Sequence, residues 1–399
     1  MLTLDKIYHA SYVLKNAVRP TDIIKCSPDV IPGTSVYLKT ENLQVTGSFK
    51  VRGAYYKISQ LTPEERSKGV IACSAGNHAQ GVARAATKMG IKSLICIPDS
   101  APISKIEATK RLGAEVCLVK GTYDDAYAKA VELQKESGAT FIHPFDDELV
   151  IAGQGTIGLE IINQKPDIEA VLVPVGGGGL IAGVAFAIKS LNPDIKIYGV
   201  QAEGAPSMVR SVKDGKIETL DSVHTFQDGI AVKTPGNLTY QIASQYVDDF
   251  ITVTDDECAA AILKLIERQK LVTEGAGANA FAGVMFNKIP QLKGKRVCCL
   301  LSGGNIDVTI LSRVINRGLQ MTGRLVDLTI ELIDKPGQLQ EVAEIIATLG
   351  GNVIAVAHDR ADLSSDINAC YLRISMETRN HEHAQEIKNA ILSRGYRLI

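Results

Sequence analysis

Residues 169–191, EAVLVPVGGGGLIAGVAFAIKSL, join a short apolar run, four consecutive glycines and a longer apolar segment. The short run has the length of a buried strand, and the segment after the glycines has the length of a helix. A strand, a loop and a helix in this order are typical of a parallel sheet that is flanked by helices. The glycines would then lie at the carboxyl edge of the sheet, where such folds bind their ligands.

The same alternation of short and long apolar segments recurs along the chain. Buried strands are predicted at 70–75, 92–98, 114–120, 169–175, 196–203 and 296–304. Helices are predicted at 78–90, 103–113, 123–138 and 180–191. These units form two groups, around 70–150 and 165–310, and so predict an α/β fold with two lobes and a cleft between them.

A different pattern follows residue 315. The segment 316–325 shows no clear periodicity and is predicted to be a linker. Strand-like alternation at 326–333, 352–360, 368–379 and 396–399 then encloses helix-like segments at 338–350 and 383–395. The resulting order β-α-β-β-α-β predicts a separate ferredoxin-like domain at 326–399.

The composition argues against several classes of protein. The net charge of −1, without a basic block, gives no sign of a nucleic-acid or anionic-membrane partner. The first residues, MLTLDKIYHA, lack the apolar core of a signal peptide, and no apolar run approaches the ~18 residues of a membrane span. None of the eight cysteines forms a CxxC pair, and five of them lie in strand-like runs. Free buried thiols and a cytoplasmic location are therefore expected.

The glycines Gly176 to Gly179 favour an anion site. Without side chains, their backbone N–H groups can converge on a phosphate, and the start of the following helix adds a favourable dipole. Two alternatives stay open at this point. The glycines can form a plain tight turn, or the run from Gly177 to Ala182 can be a dinucleotide motif with Glu203 as the ribose-binding acid.

Two further segments carry polar residues at a predicted helix start or strand end. In SAGNHAQG, 74–81, small residues can expose backbone N–H groups to an anion such as a carboxylate, and Asn77 can reach a ligand oxygen. A plain N-terminal cap is the alternative, and His78 suits either catalysis or a packing role. In LLSGGNID, 300–307, Ser302 lies where it can contact a ring nitrogen or simply form a turn.

TGSFKVRGA, 46–54, places Lys50 among small residues beside a helix start. A lysine that acts as nucleophile and base near neutral pH has to be partly desolvated. Most lysines are solvated surface charges, so Lys50 alone indicates little. A lysine, an asparagine loop, a phosphate loop and a strand-end serine together favour pyridoxal phosphate over a nicotinamide cofactor, which needs neither the lysine nor the serine.

Together, SFKVRGA, SAGNHAQG, PVGGGGL and SGGN resemble the motifs of the fold-type II (tryptophan synthase β-like) enzymes that use pyridoxal 5′-phosphate, and among them the threonine ammonia-lyases. The resemblance covers residues 1–315 as a catalytic domain, with a smaller lobe at about 52–155. Residues 326–399, with DKPG at 334–337 after the first strand, resemble an ACT-type regulatory domain.

The resemblance implies a role for each motif residue. Lys50 would carry the cofactor as a Schiff base and later transfer the α-proton of the substrate. The cofactor ring would be contacted by Phe49, Asn77 (at the 3-oxygen), Gly229 and Ser302 (at the pyridine nitrogen). Its phosphate would be held by backbone N–H groups of Gly176, Gly177, Gly178, Gly179 and Leu180. The substrate carboxylate would bind the loop of Ser74, Ala75, Gly76, Asn77 and His78.

The implied reaction is the β-elimination of water from L-threonine, which yields 2-oxobutanoate and ammonia once the released enamine has hydrolysed. Ser302 favours elimination over transamination, since a serine does not hold a positive charge on the ring. Ala75 stands where similar serine racemases carry a serine that acts as acid and base, which favours a lyase. L-Serine is expected as a slower substrate, because one methyl group discriminates by only ~1–3 kcal/mol. A serine-preferring lyase and a binding protein without chemistry are the alternatives.

Weaker expectations concern ions, effectors and assembly. Glu203 and Glu274 are candidates for holding a monovalent or divalent cation, with structural hydrogen bonding as the alternative. An amino-acid or nucleotide effector is expected at Asp334, Gly337, Leu339, Asn352, Val353 and Ile354, and the sequence does not choose among isoleucine, valine and AMP. A homodimer or homotetramer is expected, and a purely oligomerising role of the C-terminal domain is the alternative.

Overall fold

The structure is a computed structural model that describes residues 1–27, 31–360 and 369–399. It divides into two compact units, Met1–Val308 and Thr309–Ile399. The strands of the described part of the first unit are, in chain order, β1 (Ile23–Lys25), β2 (Ser35–Lys39), β3 (Val70–Cys73), β4 (Ser93–Pro98), β5 (Glu115–Val119), β6 (Thr140–Phe141), β7 (Ala170–Pro174), β8 (Lys196–Ala202), β9 (Asp249–Val253) and β10 (Arg296–Leu300).

The helices of the first unit pack on these strands. In chain order they are α1 (Leu4–Leu14), α2 (Lys50–Ser59), α3 (Pro63–Lys68), α4 (Asn77–Lys88), α5 (Ile103–Arg111), α6 (Tyr123–Ser137), α7 (Glu148–Gln164), α8 (Gly179–Leu191), α9 (Ser207–Asp214), α10 (Asn237–Tyr246), α11 (Asp255–Lys264) and α12 (Gly275–Met285). Short helical turns are present at Glu41–Leu43, Asp228–Ile230, Leu265–Gln269 and Pro290–Leu292.

The strands form two sheets. The larger has six strands in the order β1-β2-β10-β7-β8-β9, and every neighbouring pair is parallel except β1 and β2. The smaller has four parallel strands in the order β5-β4-β3-β6. The predicted strands and helices of both groups are present, with ends that lie within a few residues of the prediction. The prediction of an α/β fold is confirmed.

β7 shows why these apolar runs become strands. All of its residues are buried, because helices cover both faces of a parallel sheet and leave no position for a polar side chain. Val171 and Val173 pack with Leu300 of β10 and with Ile181 of α8 in one apolar core. This core fixes the carboxyl ends of β7 and β10, so that the loops following the two strands are held side by side.

α7 and α8 approach each other closely because both carry glycine at the contact. A Cβ on Gly183 would lie 2.3 Å from the carbonyl oxygen of Ile151 and 2.6 Å from the nitrogen of Gly155. A Cβ on Gly158 would lie 3.0 Å from the carbonyl oxygen of Val184. The two backbones therefore touch, and this contact fixes α8, with the glycine loop at its start, against α7.

A buried ionic cluster attaches α2 to α7 and to the end of β2. Arg52 is 1% exposed and lies 2.7 Å from a carboxylate oxygen of Glu41 and 2.6 Å from one of Glu160. Lys39 lies 2.6 Å from the second oxygen of Glu160. Burial alone would raise the pKa of Glu41, but Arg52 and Lys39 hold it below its usual value, so the carboxyl stays ionised. The cluster thus fixes the first turn of α2, on which Lys50 lies.

The second unit contains one antiparallel sheet covered by helices. Its elements are α13 (Val308–Met321), β11 (Leu325–Ile333), α14 (Gln338–Thr348), β12 (Asn352–Asp359), β13 (Ala369–Glu377), α15 (His381–Ser393) and β14 (Arg397–Leu398). The strand order is β12-β13-β11-β14. From β11 onward the order of elements is the predicted β-α-β-β-α-β, and residue 368, where one predicted strand starts, lies outside the described residues.

The segment 316–325 is not without pattern, contrary to the sequence-based expectation. α13 continues through it to Met321. Leu311, Val314 and Gly318 follow the three- and four-residue spacing of a helix face, and Val314 and Gly318 are buried. The helical pattern is hard to recognise in the sequence, because Gly318 contributes no apolar side chain to this buried row.

The composition predicts that the chain has no membrane span and that its cysteines are free. Across the described ranges, helices that combine the length and the apolar character needed to cross a membrane do not occur. All eight cysteines are free thiols, and only Cys117 is more than slightly exposed. The prediction of free thiols inside strands is confirmed for the two sheets of the first unit.

The glycine contact between α7 and α8 gives a stability prediction. In Gly183→Ala the new methyl group would meet backbone atoms of α7, which cannot rotate away. The overpacking should lower the free energy of unfolding by about 1–3 kcal/mol in urea denaturation followed by circular dichroism. Gly283→Ala is the control, because a Cβ there would first meet the flexible end of Ile251 at 3.0 Å. Equal stability of the two variants would contradict the account.

Candidate active site

Lys50 begins α2 and lies beside the loop that follows β10. The N–H of Phe49 donates to the carbonyl of Ser302 at 3.1 Å. Ser48 and Gly303 pair in an isolated antiparallel bridge. Because these two segments are far apart in the chain, the fold itself brings the predicted lysine and the predicted serine together.

The amine of Lys50 is held in a largely dry setting. Its Nζ donates to the carbonyl of Pro144 at 2.7 Å and lies 5.4 Å from the centre of the Phe49 ring. Burial disfavours the ammonium form and lowers the pKa of Lys50 to about 8, although the Glu274 carboxylate acts in the opposite direction. The neutral, nucleophilic amine is therefore roughly two orders of magnitude more abundant at pH 7 than in a solvated lysine.

The glycine loop before α8 has no room for side chains. A Cβ on Gly177 would lie 2.4 Å from the ring of Phe145, and a Cβ on Gly179 would lie 2.9 Å from the Cα of Phe145. Gly178 has a φ of +97°, a left-handed conformation that favours glycine. Close contact with Phe145 and the turn into α8 thus explain the run of glycines.

The backbone N–H groups of this loop point to an anion ligand. No acceptor for the N–H groups from Gly176 to Leu180 is present in the part of the chain that the structure describes. Thr239 fixes the other side of the loop, since its Oγ1 donates to the carbonyl of Gly177 at 2.6 Å. A row of free N–H donors at the positive end of a helix suits a phosphate group. The loop and the dry Lys50 amine together fit pyridoxal phosphate.

Asn77, the first residue of α4, is held by two side chains from the loops around the larger sheet. Its Nδ2 donates to Oε1 of Glu274 at 2.6 Å, and its Oδ1 accepts from Nδ2 of Asn305 at 2.7 Å. Burial, and then the nearby charge of Asp228, raise the pKa of the Glu274 carboxyl to about 7, while Asn77 and Lys50 act against this. Near neutral pH, Glu274 therefore lies between its ionised and its neutral form.

The loop between β3 and α4 offers a second row of donors. Oγ of Ser74 accepts from the N–H of Gly76 at 3.1 Å, which fixes the turn. Acceptors for the N–H groups of Ala75, Asn77 and His78 do not occur among the described residues. These three groups lie at the start of α4, so they suit a carboxylate.

His78 has a structural partner. It is 3% exposed, and its Nε2 lies 2.7 Å from the carbonyl oxygen of Ile142, a distance at which the ring N–H donates. Burial, and then the charge of Lys50, lower the pKa of His78 to about 3. A neutral ring fixed in this way orients the start of α4. This geometry favours a packing role for His78 over an acid–base role.

Ser302 and Gly229 lie against the first turn of α12. Oγ of Ser302 donates to the carbonyl of Ala276 at 3.2 Å. A Cβ on Gly229 would lie 3.0 Å from the Cβ of Ala276 and 3.3 Å from Oε1 of Glu274. The residues predicted to contact the cofactor ring are thus close neighbours, and their individual contacts with it stay predictions.

The two acids predicted to hold a cation are in different settings. Glu203 is exposed after β8, whereas Glu274 is buried and bonded to Asn77. In the described residues, neither belongs to a cluster of three side chains that could ligate a metal ion. Glu274 thus has the structural hydrogen bond that was the alternative to a cation ligand. The cation itself stays a prediction.

The predicted effector residues divide into two sets. Asp334, Gly337 and Leu339 line a surface cavity of about 390 Å³ in the second unit. Asn352, Val353 and Ile354 lie at the opposite end of β12 and do not line it. Within a single chain, the residues at 334–339 and those at 352–354 therefore do not form one site.

Sequence reasoning missed three contacts at the site. Pro144 contributes only its carbonyl, and Phe145 contributes the surface that excludes side chains from Gly177, so neither residue type carries a signal. Asn305 could have been found, because it is the fourth residue of SGGN and a polar side chain at a strand end. It joins Asn77 to Thr46, whose carbonyl accepts from the same Nδ2 at 2.7 Å.

Comparisons with known proteins agree with this geometry. A family model described as pyridoxal-phosphate dependent enzyme matches residues 14–303. An L-threonine ammonia-lyase of Thermotoga maritima is 49% identical over 397 residues, which cover 99% of this chain and 98% of that protein. The processed form of threonine deaminase isoform 2 from Solanum lycopersicum is 38% identical with a TM-score of 0.75, covering 79% of this chain and 93% of that one. Maize serine racemase is 34% identical with a TM-score of 0.75, covering 80% and 98%.

The chain belongs to the pyridoxal-phosphate dependent enzymes, which removes the dinucleotide interpretation of the glycine loop. Within that family it groups over almost its full length with the L-threonine ammonia-lyases, and it is a lyase.

The glycine loop gives a prediction about cofactor affinity. In Gly177→Ala the methyl group would overlap the Phe145 ring and displace the N–H donors. Since a hydrogen bond to a charged group contributes about 1.5–3 kcal/mol, the dissociation constant for pyridoxal phosphate should rise at least ~10-fold. Fluorescence titration of the apoprotein measures it, with Gly283→Ala as the buried-glycine control. Unchanged affinity in Gly177→Ala would contradict the assignment of the loop.

Proposed function

We propose that the chain converts L-threonine to 2-oxobutanoate and ammonia, and L-serine more slowly, with pyridoxal phosphate carried on Lys50. The observation that supports this most is the half-buried Lys50 amine, with a pKa lowered to about 8, in the same unit as a glycine loop with free N–H donors. The identity of 49% with an L-threonine ammonia-lyase supports the choice of substrate.

Each group of polar residues in the site is assigned to one part of the cofactor or substrate. The N–H groups from Gly176 to Leu180 bind the phosphate. Those of Ala75, Asn77 and His78 bind the substrate carboxylate at the start of α4. Asn77 and Ser302 orient the ring through their side chains, and Phe49 packs beside it. When bound, the cofactor supplies an electron sink for the negative charge that proton removal leaves on the substrate.

Lys50 is the proposed proton carrier. With cofactor and substrate bound, the Nζ of Lys50 would act as a neutral base that accepts the proton from the substrate α-carbon. Desolvation lowers the pKa of this amine to about 8, and a general base is most effective when its pKa lies close to the pH of the reaction. The β-hydroxyl then leaves and takes up one proton to form water, which balances the α-proton taken by Lys50, and the released enamine hydrolyses to the 2-oxo acid and ammonia.

Ala75 favours elimination over racemisation. A racemase needs a second acid–base group on the face opposite the lysine, and a methyl side chain cannot move a proton. The similarity to maize serine racemase shows that the fold alone does not separate the two activities. Residue chemistry at this position therefore supports the lyase.

The second unit is proposed to regulate the enzyme. Its β-α-β-β-α-β order and the turn at 334–337 resemble an ACT-type domain. The cavity at that turn has room for an amino acid, and isoleucine, valine and AMP remain alternative effectors. A homodimer or homotetramer and a cytoplasmic location belong to the same proposal.

Replacement of Lys50 tests the function directly. Lys50→Ala should lower the rate of 2-oxobutanoate formation from threonine by about 10²–10⁴-fold, the usual contribution of a positioned general base. It should also abolish the covalent adduct that borohydride traps between cofactor and protein. Lys57→Ala is the matched control, since Lys57 lies on the same helix and pairs with Asp147 at 2.7 Å.

Three outcomes would contradict the proposal. A wild-type rate in Lys50→Ala would remove the lysine from the mechanism. A wild-type protein that binds the cofactor but acts on serine faster than on threonine would favour the serine-preferring alternative. Inactive wild-type protein that still binds the cofactor would favour the binding-protein alternative.

A further inference from the structure

Three metal-ligating side chains meet at one end of the sheet in the second unit. Asp334 follows β11, His358 lies on β12 and Cys370 lies on β13. One carboxylate oxygen, one ring nitrogen and the thiol sulfur all lie within 4.8 Å of one another. In the described residues this is the one group of this kind.

The strand register explains why the three side chains converge. Cys370 pairs with Leu332, so Asp334, two residues further on, points to the same face. His358 pairs with Leu372, which places it diagonally across from Cys370 on that face. Elsewhere on this face the strands carry apolar residues such as Ile330 and Ile374. Apolar packing therefore does not account for three ligand-type residues at its end.

The distances suit a tetrahedral ion. Zn²⁺ binds nitrogen and oxygen at about 2.0–2.2 Å and sulfur at about 2.3 Å, which places tetrahedral ligand atoms about 3.3–3.8 Å apart. Nε2 of His358 lies 2.9 Å from Sγ of Cys370, and the remaining separations reach at most 4.8 Å. Side-chain movements of about 1 Å, without a change in the strands, would form the coordination sphere.

The site is also accessible. Asp334 and His358 line the cavity of about 390 Å³, whereas Cys370 is only 1% exposed and lies beside His358, with Sγ 2.9 Å from its Nε2. Arg360 lines the same cavity and lies 3.1 Å from Asp334. Because Arg360 is on the surface, it can turn outward and leave the carboxylate to an entering cation.

We propose that Asp334, His358 and Cys370 form a binding site for Zn²⁺ or a similar borderline divalent cation, with the fourth position open to water. On binding, the thiol loses its proton to solvent and the sulfur takes up the metal, without any redox change. The site lies in the second unit and does not depend on the proposed function. Asp334, in the turn at 334–337, would then be a metal ligand in addition to its expected contact with an effector.

Equilibrium dialysis of the full-length holoenzyme against buffered Zn²⁺ tests the proposal. The wild-type chain should bind one ion that a chelator removes. His358→Gln and Asp334→Asn, both at exposed positions, should each weaken this binding at least tenfold, and Cys370→Ser should do the same. His381→Gln is the matched control, because His381 lies in the same unit outside the cluster, and it should bind like wild type.

The result can support or overturn the site. Loss of the ion in the two exposed variants with retention in His381→Gln supports it, and circular dichroism of each variant shows that its fold is intact. Equal binding by wild type and His358→Gln overturns it, as does the absence of stoichiometric Zn²⁺ from the wild-type chain.

Discussion

The partial burial of the Lys50 amine is the constraint on which the site depends. A lysine at the start of a helix would normally extend into water, yet here Nζ donates to the carbonyl of Pro144 beside the Phe49 ring. This position requires α2 to begin at one place, and the ionic cluster of Arg52, Glu41 and Glu160 fixes that place. Replacing Arg52 with a neutral residue would leave the buried Glu41 carboxylate without its ion pair, at a cost of about 3–5 kcal/mol. The cluster thus affects the Lys50 amine indirectly, because it fixes the position of α2.

Around this amine, the donors available to an anion are backbone N–H groups. The starts of α4 and α8 both leave N–H groups without acceptors in the described residues, and both follow strands at the carboxyl edges of their sheets. Backbone donors bring no proton of their own to the reaction, and Lys50 is the group proposed to act as the base. Glu274, whose pKa is raised to about 7, modulates the charge near that amine.

The sequence predicted much of this arrangement, for identifiable reasons. Strands that are buried on both faces have continuous apolar runs, so β3, β4, β7 and β10 could be predicted from the sequence. Four consecutive glycines marked the loop that is proposed to hold the phosphate. What escaped prediction involves contacts without a side-chain signature. The Pro144 carbonyl and the Phe145 ring face the site only because the chain returns there after β6, and periodicity cannot show such a return. The pairing of Asn77 with Glu274 joins residues from distant segments, so the sequence leaves Glu274 open between a cation ligand and a structural hydrogen bond.

The pH dependence of Schiff-base formation between the apoprotein and pyridoxal phosphate tests the central role of the buried amine most directly. Only the neutral amine attacks the aldehyde, so the rate should rise with pH and level off above a midpoint near 8. In Glu274→Gln the midpoint should move lower, because the carboxylate that favours the ammonium form is gone. A rate that continues to rise through pH ~10, as for a solvated lysine, would contradict the account.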